Sequence, residues 1–145
     1  MKELLFGTAG IPLGANPRTT SYGIKHVKKL GLGCMELEFV HSVNISKEKA
    51  PEIKKVAEDN NIILTCHAPY YINLNSVEKA KVKASIDRIT NSARIVNLCG
   101  GYSVAFHSGF YMGMEQKKVY DTIKNNIKEI AKTLKSEGNN VWIRP

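Results

Sequence analysis

Apolar residues recur along this chain at two spacings. Short apolar runs at Leu4–Gly7, Cys34–Val40, Ile62–Cys66, Tyr102–Phe106 and Val141–Arg144 read as five strands. Between them, apolar positions return every three or four residues. Ile24, Val27 and Leu30 form one such stripe, and Ile53, Val56 and Ala57 a second. Val82, Ile86, Ile89, Ala93 and Val96 form a third, and Val119, Ile123, Ile127, Ile130 and Leu134 a fourth. Each stripe predicts a helix with one buried face.

Polar punctuation sets the ends. Thr19 or Thr20 can cap the first helix, Lys28 and Lys29 suit its negative end, and Gly31 stops it. Ser46 or a neighbour opens the second, with Pro51 tolerated in its first turn and Asn60-Asn61 closing it. Ser76 caps the third, which Gly100-Gly101 ends, and Gly138 ends the fourth.

Strand and helix therefore alternate, which predicts an α/β fold with a parallel sheet and right-handed crossovers. Units of roughly 30 to 40 residues suit a (β/α) barrel of the TIM type, which needs eight units and about 250 residues. The 145 residues hold about five parallel strands and four helices. They are expected to form the N-terminal part of a single TIM-barrel domain over 1–145, or else an open five-stranded sheet. The first and last strands of a partial barrel expose unpaired edges. Self-association or truncation is the corresponding expectation.

The second strand alternates strictly. Met35, Leu37 and Phe39 share one face, and Glu36 and Glu38 the other. If the apolar face meets the helices, the interior face carries Glu36, Glu38, Thr65, His67, Ser103 and His107. Charges inside a barrel are unfavourable unless a metal or a partner uses them.

Candidate chemistry gathers at the C-terminal strand ends, where parallel sheets and barrels bind ligands. His67 follows the third strand and is stopped by Pro69; His107 follows the fourth and is stopped by Ser108-Gly109. A single histidine at a strand end more often just hydrogen-bonds to backbone. Two at matching positions of adjacent strands point instead to two ligands of one metal ion, and zinc is the ion histidine most often holds. His26 sits on a lysine-rich helix and is read as exposed. His41 follows the second strand and is either a ligand contact or a loop histidine. Tyr70 and Asn73 come directly after His67. An aromatic beside a basic cleft can stack on bases or fill an abasic gap, or simply pack its own loop. Tyr71 and Ile72 are read as packing residues. Gly7 to Gly10 could let a phosphate approach the backbone, although no nucleotide-binding glycine pattern is present.

Composition narrows the class. With 43% hydrophobic and 23% charged residues the chain is an ordinary globular one. It has no apolar stretch of about 18 residues to span a membrane, and its first residues are too short an apolar core for a signal peptide. An intracellular, cytoplasmic protein is expected. Three widely spaced cysteines fit reduced thiols rather than a disulfide framework. A net charge of +8 and a pI near 9.4 attract polyanions, nucleic acid foremost. Many of the lysines also serve simply to solvate helix faces.

Two segments carry a resemblance. His67-Ala68-Pro69-Tyr70-Tyr71-Ile72-Asn73-Leu74 and Val104-Ala105-Phe106-His107-Ser108-Gly109 resemble the histidine segments of the endonuclease IV family of apurinic/apyrimidinic endonucleases, which use a xylose-isomerase-like TIM barrel. The family usually has proline where Ser108 stands. The resemblance implies a zinc-dependent phosphodiester hydrolase of abasic or damaged DNA, with two or three zinc ions in the full-length enzyme. It implies His67 and His107 as metal ligands, no catalytic group beyond the metal ligands, and Tyr70, Asn73 and His41 near DNA. The family's bridging glutamate is expected just beyond Pro145, so the chain is expected to bind metal weakly by itself. Glu36 and Glu38 depart from the endonuclease IV pattern. They lean toward the sugar isomerases and epimerases of the same barrel, as acid/base or metal-binding groups.

Overall fold

The computed structural model describes residues 4–145. Nine elements alternate along it: β1 (Gly7–Ala9), α1 (Thr20–Lys29), β2 (Cys34–Glu38), α2 (Ala50–Asp59), β3 (Ile63–His67), α3 (Lys79–Leu98), β4 (Ser103–Ala105), α4 (Gln116–Ser136) and β5 (Trp142–Arg144). The sheet runs β1-β2-β3-β4-β5, every neighbouring pair parallel. Five strands in sequence order, the first four each followed by a helix, make a partial α/β barrel with β1 and β5 at its open edges.

The alternation in β2 does what it promised. Met35, Leu37 and Phe39 are buried, while Glu36 and Glu38 are only half-buried on the other face. Leu64, Cys66, Val104 and Phe106 continue that apolar face across β3 and β4 and onto the start of the following loop. They pack on Ile24 and Val27 of α1, Ile53 and Ala57 of α2, Ile89, Ala93 and Val96 of α3, and Ile130 and Leu134 of α4. Full burial of each large side chain contributes about 1.5–3 kcal/mol. This layer is the core.

Several boundaries moved, each for a local reason. The strand expected at Leu4–Gly7 lies at Gly7–Ala9. Leu4 and Phe6 stay largely exposed, although the Phe6 carbonyl still accepts from Gly33 and Cys34. Met1 to Glu3, part of the segment judged too short for a signal peptide, lie outside the described residues. Leu30 is 54% exposed because α1 ends at Lys29 and Leu30 is its C-cap. Thr19 does cap α1, its hydroxyl accepting from the Tyr22 N–H. Ser76 does not cap α3: its hydroxyl accepts from the Glu78 N–H in a turn before the helix, and Glu78 takes the cap position. Among the described residues no helix is long and apolar enough to cross a membrane.

Candidate functional site

Register decides which side chains share the interior. Glu38 pairs with His67, His67 with Ala105, and Ala105 with Arg144. Ala9, Glu36, Thr65, Ser103 and Trp142 form the next row below. Paired residues in a ladder point to the same face, so the interior holds the polar row expected from alternation.

His67 and His107 come together at the upper rim, with ring centroids 5.2 Å apart and planes inclined by 55°. His67 Nδ1 lies 2.8 Å from the Ala68 carbonyl oxygen. A carbonyl only accepts, so Nδ1 donates, and in the neutral ring this leaves the lone pair on Nε2. A backbone carbonyl behind the distal nitrogen is how a metal-binding imidazole is oriented. The donor set therefore fits the two-nitrogen share of a zinc site. Among the described residues no group of three His, Cys, Asp or Glu side chains is placed to hold a metal.

Tyr70 completes the cluster. Its ring stacks on His107 at 5.9 Å and 24°, and tilts against His67 at 5.1 Å and 45°. Half of Tyr70 is exposed, so the ring walls the pair on one side and meets solvent on the other. His41 stacks on Tyr71 at 6.1 Å and 23°. Both are exposed, and only Tyr71 is a chain neighbour of the cluster, next to Tyr70. Ile72 is buried as expected, but Tyr71 is exposed rather than packed.

Asn73, expected near DNA, makes hydrogen bonds within the protein. Its Oδ1 accepts from the Asn75 N–H at 3.0 Å and the Phe110 N–H at 3.4 Å. Its Nδ2 points to Met112 Sδ. Its amide thus works inside the protein, joining the β3–α3 loop to the β4–α4 loop. Asn75 does the same from a buried position, donating from Nδ2 to the Phe110 carbonyl at 2.8 Å. Nothing in the local sequence announces this, because the partners lie 37 and 35 residues away.

The carboxylates sit beside the histidines. Burial raises the Glu38 carboxyl above its ordinary range, and the neighbouring Glu36 carboxyl raises it further by hydrogen bond and charge; His67 acts in the opposite direction. Both glutamates line an open polar pocket of about 270 Å³ with Arg18, Thr20 and Asn44.

The family described as xylose isomerase-like TIM barrel matches residues 24–145. The chain belongs to this family. A relative called uncharacterized protein MJ0133, from Methanocaldococcus jannaschii, is 42% identical over 142 residues, 98% of this chain and 50% of that protein. The chain therefore spans half the length of that relative. A probable endonuclease 4 of Mycoplasma genitalium is 26% identical over 85 residues, 59% of this chain and 29% of that one. Among solved structures, an L-ribulose 3-epimerase superposes with a TM-score of 0.75 at 13% identity, covering 97% of this chain and 48% of the other. At that identity the likeness concerns the fold alone. The proteins this chain resembles thus include a probable endonuclease 4 by sequence and a sugar epimerase by fold.

Proposed function

We propose that the chain supplies the His67–His107 side of a zinc-dependent phosphodiester hydrolase acting on abasic or damaged DNA. The observation that carries this reading is the cluster of His67, Tyr70 and His107, with the His67 proton held on Nδ1 and its other nitrogen free. The partial likeness to a probable endonuclease 4 covers 85 residues and supports the same reading.

His67 and His107 would hold the zinc, and a bound zinc lowers the pKa of its water to about 7 and so supplies a nucleophile at neutral pH. The Ala68 carbonyl fixes the His67 ring and its tautomer, so that Nε2 rather than Nδ1 faces the ligand. Tyr70 walls the pair and offers a flat face to a sugar lacking its base. The net charge of +8 draws the phosphodiester toward this rim. Asn73 acts by positioning the two loops that frame it.

The test uses the protein as its cell makes it, a duplex with one abasic site, and a chelator. Cleavage at the abasic site, stopped by chelator and by His67→Ala or His107→Ala, is the expected result. Intact abasic DNA with the zinc-loaded natural protein would overturn the reading.

A second reading has its own support. Glu36 and Glu38 face the interior beside His67, and the Glu38 carboxyl holds its proton more tightly than usual. Such a pair suits proton transfer at a sugar carbon, as in an isomerase or epimerase. Incubating ketohexoses in deuterated water separates the two readings: deuterium incorporation that depends on Glu38 favours the sugar enzyme.

A further inference from the structure

Beside the histidine cluster runs an open groove of about 510 Å³. Tyr70, Tyr71 and Phe110 line it, Ala80 and Ala84 leave space along α3, and Lys81 and Arg88 bring positive charge to it. Positions 80, 84 and 88 share one helix face at steps of four. Two small residues therefore open a channel that leads to a guanidinium.

Two features of this groove lack an explanation within the fold. Phe110 is 62% exposed, yet its backbone is tied on both sides, N–H to Asn73 and carbonyl to Asn75. A large apolar ring offered to water on a fixed backbone points to recognition. Arg88 is half-buried and, among the described residues, is in no ion pair. Lys81 on the same helix pairs with Glu78, and Arg94 with Glu137. The planar fork of a guanidinium left free over an apolar groove suits two oxygens of an anion such as phosphate. Floor and wall are one unit. The buried Ser85 hydroxyl accepts from the Asn73 N–H at 2.9 Å and donates to the Lys81 carbonyl at 2.7 Å.

We infer that this groove is a subsite for one unpaired nucleotide of a DNA strand, its base against Phe110 and Tyr71 and its phosphate on Arg88. The inference names the partner of the proposed hydrolytic site and rests on that reading for the choice of DNA. The charge on α3 supports it: Lys81 and Arg88 both line the groove. A ring pair beside a cation is what a single strand stacks on, whatever its base.

Binding of a fluorescent single-stranded deoxyoligonucleotide, on the order of ten nucleotides long to match one small binding surface, tests this by anisotropy in chelator at several salt concentrations. Phe110→Ala should weaken binding about fivefold or more with the salt slope unchanged. Phe110→Trp should keep it. Arg88→Ala should weaken binding and lower the slope of log affinity against log salt by about 0.7, the share of one phosphate on a single strand. Arg88→Lys should restore that slope. Wild-type protein that ignores the oligonucleotide, or alanine variants that bind it as wild type does, would overturn the inference. The two readings fail separately. Loss of binding in both alanine variants without any abasic cleavage by wild type sinks the nuclease and keeps the subsite. Zinc-dependent cleavage with unaltered binding in both variants does the reverse.

Discussion

Glu38 stands opposite His67 in the parallel ladder of β2 and β3. The carboxyl is raised by burial first and then by Glu36, against the influence of His67. A raised acid binds its proton more tightly folded than unfolded. Its contribution to stability is complete below the ordinary carboxylate pKa of about 4.3 and is lost as pH rises through the raised value. Glu38→Gln keeps the shape without the titration. It should therefore melt higher than wild type at pH 7, and the gain should shrink toward pH 4. Thermal melts followed by circular dichroism at several pH values check this; a gain that grows on acidification would contradict it.

The His67–His107 pair predicts shared binding of one ion. Zinc competition against a chromophoric chelator should show each alanine variant binding at least about tenfold more weakly, roughly 1.4 kcal/mol. The double variant should lose little more than either single one. Additive losses would mean that the rings hold different ions or none.

Thiol chemistry should divide the three cysteines. Burial, and after it the charges of Glu36 and Glu38, pushes the Cys66 thiol far above its usual range, and burial lifts Cys99 to about 11. Cys34 is only half-buried, though burial and Glu36 raise it too. A thiol reagent at pH 8 should modify one group slowly in the folded chain and three after denaturation, because thiolate is the reactive form. Peptide mapping should place the first label on Cys34.

Asn75→Ala removes the Nδ2 donor that holds the Phe110 carbonyl. A lost hydrogen bond of this kind costs about 1 kcal/mol. Hydrogen exchange should speed up through residues 108–114 while the middle of α3 stays protected, and Asn75→Asp should not restore the bond.

Much of this architecture is legible in the chain itself, since burial is one-sided wherever a strand meets helices. Met35, Leu37 and Phe39 against Glu36 and Glu38 give both the strand and its facing. The stripe from Val82 to Val96 likewise marks α3, which runs from Lys79 to Leu98. Where burial is weak the signal fades. β1 is Gly-Thr-Ala, three small residues held by pairing to β2, and the eye goes instead to Leu4 and Phe6, which stay exposed. At the site, His67, His107 and Tyr70 stand out because strand ends are local features. The work of Asn73 and Asn75 does not, because it joins loops far apart in sequence. Arg88 reads as one more cation on a basic helix until the groove appears. Phe110 likewise passes as one more loop aromatic until the groove appears.

Asn73 lends one amide oxygen to the backbones of both loops, so the two cannot open independently. Breaking either bond frees the side chain to swing and loosens its hold on the other. The loops behave as a single jaw. A guest in the groove would therefore meet both loops at once, Phe110 on one and Tyr70 and Tyr71 on the other.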